Sequence, residues 1–211
     1  MLDGPRFGPR EGAARQLVVL CHGVGADGHD LIDLAPGWAA ILPHAVFVAP
    51  DAPEAYDMAP FGRQWFSLSD RAPARIAAGV AVAAEALAGF VDAECAKFGL
   101  THDDVALMGF SQGAMTSLYA GLRMAAPPRA IMAYSGRLIG PAVASAAKVL
   151  LVHGEDDPVV PVAGTHEAEA ALRAAGVAVE ALYCPKLGHG IDHAGIALGG
   201  MFLQKAFAGG L

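Results

Sequence analysis

Asp104-Val-Ala-Leu-Met-Gly-Phe-Ser-Gln-Gly-Ala114 is the stretch whose reading decides the fold. Val105 to Met108 is a short apolar run with the length of a buried strand. From Ala114 to Met124 the pattern turns helical, rich in Ala, Leu and Met. Between them Gly109-Phe110-Ser111-Gln112-Gly113 spells G-x-S-x-G where a strand must bend sharply into a helix, the context of a nucleophile elbow. A serine at the apex of such a turn holds a strained backbone, so the positions two residues either side must be nearly free of side chain. Its hydroxyl projects at the start of a helix, where unsatisfied N–H groups suit a developing oxyanion.

Working outward, Met1 to Arg15 is rich in Gly, Pro and Arg and reads as an irregular or weakly stranded lead-in. Gln16 to Cys21 is a buried strand that runs into His22-Gly23-Val24-Gly25-Ala26-Asp27-Gly28. Asp30 to Leu42 reads as a helix interrupted near Pro36-Gly37, and Ala45 to Ala49 as the next strand. A turn-rich loop spans Pro50 to Ala72, and a long Ala-rich helix runs from Arg75 to Phe98, ended by Gly99. Beyond the elbow, Ala130 to Tyr134, Lys148 to His153 and Val177 to Tyr183 read as strands, and Thr165 to Ala175 and Ile191 to Phe207 as helices. Uniformly apolar strands alternating with helices predict an α/β fold: a mostly parallel sheet of about six to seven strands, covered on both faces.

At 211 residues the chain is expected to form a single domain with a substantial core. The longest charge-free apolar run in the long helix, Ile76 to Ala84, is too short to span a bilayer, so no stable membrane insertion is expected. The charged, Arg-containing start carries no signal-peptide pattern. Fourteen basic against 21 acidic residues leave a net charge of −7 without a Lys/Arg cluster, which argues against nucleic-acid partners and anionic membranes. Cys21, Cys95 and Cys184 are odd in number and lack metal-site spacing, so they read as reduced and the location as cytoplasmic.

A serine hydroxyl becomes a useful nucleophile only when an imidazole takes its proton, and that imidazole needs a carboxylate to set its tautomer. In a sheet of this kind catalytic groups gather beyond the carboxyl ends of the strands, in the chain order Ser, acid, His. Gly154-Glu155-Asp156-Asp157-Pro158 follows one strand, and Cys184-Pro185-Lys186-Leu187-Gly188-His189-Gly190 follows the next. Among eight histidines His189, flanked by glycines, is the expected base; His193, in the final helix, is the weaker candidate. His22 and His153, each ending a strand before a glycine, read as structural groups bonded to loop backbone. Asp157 is favoured over Asp156 and Glu155 because the following proline holds the loop extended.

Two other function classes compete. Gly23-Val24-Gly25-Ala26-Asp27-Gly28 matches G-x-G-x-x-G after a strand, and Asp51 stands about where a ribose ligand would, so a dinucleotide-binding oxidoreductase is one rival. It leaves His22-Gly23 unexplained and needs a helix that Pro36-Gly37 interrupts. A non-catalytic binding module is the other, disfavoured because serine, acid and histidine positions are all filled. No metal or other cofactor is expected: His166-Glu167 lacks the second histidine of H-E-x-x-H.

With Gly109-Phe-Ser-Gln-Gly113, Glu155-Asp-Asp-Pro-Val-Val-Pro161, Leu187-Gly-His-Gly190, Leu20-Cys-His-Gly-Val-Gly-Ala-Asp-Gly28 and Gly62-Arg-Gln-Trp-Phe66 in view, the chain resembles the phospholipase/carboxylesterase family. That small alpha/beta-hydrolase group contains acyl-protein thioesterases and bacterial carboxylesterases. By position the resemblance implies Ser111 as nucleophile, Asp157 as acid, His189 as base, and the backbone N–H groups of Val24 and Gln112 as oxyanion hole. It implies a hydrophobic acyl channel and homodimer formation. The serine chemistry itself predicts an acyl-enzyme intermediate on a small-molecule ester or acyl substrate, and the short connections around one turn-rich loop predict short to medium chains. The chain departs from the family in lacking a clear hairpin before Leu17, which bears on the first strands only. The loop Pro50 to Ala72, with Phe61, Trp65, Phe66 and Leu68, is expected to line the acyl site.

Overall fold

The computed structural model describes residues 2–208. In chain order its elements are β1 (Arg6–Phe7), β2 (Gln16–Cys21), α1 (Gly28–Ile32), α2 (Ala35–Ala39), β3 (Ala45–Val48), β4 (Glu54–Ala55), β5 (Arg63–Gln64), α3 (Pro73–Phe98), β6 (Val105–Phe110), α4 (Gln112–Gly121), β7 (Ala130–Tyr134), β8 (Lys148–Gly154), α5 (Ala163–Ala174), β9 (Val179–Cys184) and α6 (His193–Phe207). Seven strands form one sheet in the order β1-β3-β2-β6-β7-β8-β9. Every neighbouring pair is parallel except β1 with β3, where Arg6 faces Val48 and Phe7 faces Phe47. The lead-in thus contributes a two-residue antiparallel edge.

Alternation along each strand divides the core. Val18, Leu20, Phe47, Met108, Met132 and Tyr134 point to the face covered by α1, α2 and α6, whose Trp38, Phe202 and Leu203 join them. Leu17, Val19, Val48 and Leu107 point the other way, against Ile76, Val80, Leu87, Phe90 and Val91 of α3. Ile131, Val149 and Leu151 meet Leu118 of α4 and Leu172 of α5 on that same side. Each such side chain removed from water contributes about 1.5–3 kcal/mol. Two covered faces explain why the strands read as continuous apolar runs. Cys21, Cys95 and Cys184 are free and buried, and burial pushes the Cys21 thiol up to about 12.

Two expectations are corrected. The first helical region breaks at Asp33-Leu34, ahead of Pro36, which sits in the first turn of α2 where its missing N–H costs nothing. The charge-free run Ile76 to Ala84 also understates α3: with a mean hydropathy of 1.7 it is, by length and composition, apolar enough to cross a membrane. One face of it is buried on the sheet instead. Its end is as read: Gly99 takes φ 69° and its N–H donates to Cys95 O.

Candidate active site

The parallel strands deliver their following loops to one end of the sheet, and the candidate residues meet there. At the end of β6, Ser111 holds φ 54° and ψ −114°, a conformation that costs about 1–3 kcal/mol outside glycine. Two bonds hold it. Ser111 N–H donates to Tyr134 O at 2.9 Å, and Met115 N–H donates to Ser111 O at 3.1 Å. The flanking glycines are required sterically: a Cβ on Gly109 would lie 2.3 Å from Gly113 O, and one on Gly113 would lie 2.0 Å from Cys21 O. The G-x-S-x-G pattern is therefore the imprint of a helix start pressed against two strand ends.

Asp157 follows β8 and is buried with both carboxylate oxygens engaged. Its Oδ1 accepts from Val159 N–H at 2.8 Å and Val160 N–H at 2.9 Å. Its Oδ2 lies 2.7 Å from His189 Nδ1, which places the proton of the neutral imidazole on Nδ1. His189 Nε2 has no partner among the described residues. Burial alone would raise the Asp157 carboxyl, but the bonds from His189, Val160 and Val159 outweigh it and hold the group below its ordinary value. Asp156 and Glu155 do not reach His189; their backbone N–H groups donate to Leu187 O and Cys184 O and tie the two loops together. The His189 ring packs on Phe110, one residue before Ser111, with centroids 4.8 Å apart. Ser135 Oγ donates to Gly190 O at 3.4 Å, anchoring the same loop. His193, the first residue of α6, is exposed and makes none of these contacts.

His153 has more than the backbone role expected of it. Its fully buried ring places Nε2 2.8 Å from Val160 O and 3.1 Å from Asp157 Oδ2, and Nδ1 2.6 Å from Thr165 Oγ1. Nε2 carries the hydrogen that it donates to Val160 O, and Asp157 Oδ2, bonded to His189, lies close to this second ring without a hydrogen bond from it. The signal in the sequence was a histidine four residues ahead of the acid at the end of the same strand. His22 does serve the loops: its Nδ1 donates to Gly23 O at 2.7 Å and its Nε2 accepts from Ala52 N–H at 3.0 Å. Burial lowers its pKa and keeps it neutral, against the smaller opposing pull of the Gly23 bond.

The loop carrying Val24 is fixed by β5. Gly25 N–H donates to Arg63 O and Arg63 N–H donates to Ala26 O, both at 2.8 Å. Next in the chain, Trp65 donates its indole N–H to His22 O at 2.9 Å and its backbone N–H to Gln112 Oε1 at 2.8 Å. Gln112 Nε2 completes the clamp by donating to Phe66 O at 2.7 Å. The backbone N–H groups of Val24 and Gln112 have no acceptor among the described residues. With Ser111, both residues line a cavity of about 260 Å³. The side-chain role of Gln112 was not foreseen; its only sequence signal is an amide next to the serine of a tight, glycine-flanked turn.

Phe66 and Leu68 line that cavity together with Ile76, Met115, Val159 and Val160. The expectation for Phe61 and Trp65 is corrected. Phe61, 74% exposed, projects from the hairpin between β4 and β5, while Trp65 is buried beneath the loop and tied to His22 O. The dinucleotide reading also fails on geometry. Asp51 Oδ1 accepts from Gly28 N–H at 2.8 Å, so it caps α1 instead of awaiting a ribose, and α1 has only five residues. Among the described residues no group of three or more His, Cys, Asp and Glu side chains is placed to hold a metal ion.

A model of the phospholipase/carboxylesterase family matches residues 5–206. The esterase YpfH of Escherichia coli (strain K12) is 32% identical over 186 residues, covering 85% of this chain and 78% of its own length. Acyl-protein thioesterase 1 of Schizosaccharomyces pombe (strain 972 / ATCC 24843) is 31% identical over 157 residues, 68% of this chain and 69% of its own. The crystal structure of esterase PE8 superposes with a TM-score of 0.92 at 40% identity, covering 97% of this chain and 99% of that one.

Proposed function

The chain belongs to the phospholipase/carboxylesterase family, and from that premise we propose that it is a serine hydrolase cleaving carboxylic esters, and thioesters as a second class, through an acyl-enzyme. The observation that carries the reading is the strained Ser111 at the head of α4, next to the Phe110 ring on which His189 packs, together with the Asp157–His189 pair bonded at 2.7 Å. His189 Nε2 takes the Ser111 Oγ proton as Oγ attacks the carbonyl carbon. Val24 and Gln112 N–H groups receive the oxyanion, held in advance by β5 and by the helix start. His189 then protonates the leaving alcohol or thiol, and water repeats the sequence to release the acid. Asp157 remains ionised and stabilises the imidazolium.

The proposed substrate is a small-molecule ester or acyl compound of short to medium chain, bound against Phe66, Leu68 and Met115. A cytoplasmic location is supported by three unpaired cysteines; homodimer formation rests on the family resemblance. The test is a panel of 4-nitrophenyl esters and acyl-CoA thioesters. Wild-type protein turns over one or both series, and Ser111→Ala loses roughly 10⁶-fold in kcat. Undiminished turnover in Ser111→Ala would place the nucleophile elsewhere.

A further inference from the structure

Phe66, Leu68, Ile76 and Met115 give the cavity beside Ser111 an apolar wall, but Arg71 and Arg137 complete its lining. They come from separate segments, Arg71 just before α3 and Arg137 after β7. Most arginines in this protein are occupied. Arg6, Arg75, Arg129 and Arg173 reach carboxylates, while Arg63 and Arg123 donate to backbone carbonyls. Of the four without a partner among the described residues, Arg10 and Arg15 lie in the lead-in before β2, and the other two both line this cavity. No carboxylate offsets them. Asp70, next to Arg71, is held by Arg75 at 3.7 Å and by Ala72 N–H at 2.9 Å. Asp157 has both oxygens engaged by Val159, Val160 and His189. In a protein of net charge −7, two exposed arginines without a partner among the described residues thus line the cavity that also holds the nucleophile.

We propose that the site accepts esters or thioesters whose entering chain ends in an anion, a carboxylate or a phosphate. The methylenes lie on Phe66, Leu68, Ile76 and Met115, and the anion is received by Arg71 and Arg137. This rests on the esterase reading and narrows it. A plain aliphatic chain gains from the apolar wall but offers nothing to the two cations, whereas a terminal oxyanion gains charge-assisted, fork-shaped hydrogen bonds. The negative net charge still repels polyanions at long range, so selection falls on small anions that fit inside the cavity.

The experiment compares kcat/KM for 4-nitrophenyl hexanoate with the mono-4-nitrophenyl ester of adipic acid, equal in chain length and differing in the terminal carboxylate. A third ester, of 6-phosphonohexanoic acid, distinguishes the two anions. We expect one anionic ester to lead the hexanoate by about tenfold at low salt, the value of one charge-assisted bond at a partly exposed site. Whichever leads names the anion. The lead shrinks in 1 M salt and collapses in Arg71→Ala/Arg137→Ala; reading a ratio of esters cancels changes common to both. Both anionic esters trailing the hexanoate, or a lead that survives in the double variant, would overturn the proposal. Ser111→Ala separates the two levels. If it abolishes turnover of all three esters while the hexanoate leads, only the anion inference fails; if it turns over normally, the esterase reading fails with it.

Discussion

Asp157 Oδ2 faces two imidazoles, and they have different work. His189 carries the proton in the proposed reaction, whereas His153, fully buried and bonded to Val160 O and Thr165, fixes the loop whose Val159 and Val160 N–H groups hold the carboxylate. Asp157→Asn should lower kcat about 10⁴-fold by leaving His189 in the wrong tautomer, while Asp156→Asn, with a side chain outside the site, should cost far less. Equal losses would show that the pairing seen here is not the working one. His153→Leu removes the donor to Val160 O, loosens the loop that holds Asp157, and is expected to lower kcat by about tenfold or more. His153→Gln, which keeps an N–H donor, should lose less. Steady-state kinetics at one pH would show both orderings. Ser111 and His189 were legible because glycines two residues away, or on both sides, mark backbone that must bend. Choosing Asp157 over Asp156 was favoured by a proline in the sequence, whereas the space in which Asp157 Oδ2 meets His189 is set by a fold the sequence does not spell out. The second role of His153 was hidden because its partners lie across a loop closure.

Between elements, the Gln112 side chain is the joint that fastens the β5 segment to the elbow. Gln112→Ala strands the buried Trp65 N–H and Phe66 O, at about 1–3 kcal/mol for each group left unpaired. The wall formed by Phe66 loosens, so KM is expected to rise alongside a lower Tm; unchanged stability and KM would contradict the clamp. Gly113→Ala forces a Cβ onto Cys21 O and should destabilise by about 1–3 kcal/mol or more, read from denaturant midpoints. Strand positions were readable from apolar runs because both sheet faces are covered. The break between α1 and α2 was misplaced because proline is tolerated in a helix's first turn, and a sequence shows the residue without showing which turn it occupies. Phe61 and Trp65 were misassigned for a related reason: an aromatic in a loop serves equally well exposed, buried or lining a site, and here the neighbouring hairpin decides.

At the scale of the whole molecule, acid stability carries the signature of His22. Its folded pKa lies below the ordinary value of about 6.5, so between those two values the unfolded chain binds more protons and stability rises with pH. The His22 contribution should be flat above about pH 6.5 and fall below it. His22→Gln, which can still accept from Ala52 N–H, should flatten that slope; an unchanged slope would assign it to other groups. Asp157 acts lower: its depressed carboxyl contributes fully above the ordinary aspartate value and is lost only as pH falls through its folded one. The substrate wall is a paired hairpin and a clamped segment, so kcat/KM for unsubstituted acyl chains should rise from acetyl by roughly 0.8 kcal/mol per buried methylene and level off as the cavity of about 260 Å³ fills. No jump is expected when the substrate passes its solubility limit. The central claim is that Ser111 is the nucleophile, and labelling with a fluorophosphonate followed by peptide mass mapping tests it most directly. The account predicts one adduct per chain, on Ser111, lost in Ser111→Ala. Stoichiometric labelling at another residue, or a Ser111→Ala variant that still labels and turns over ester, would contradict it.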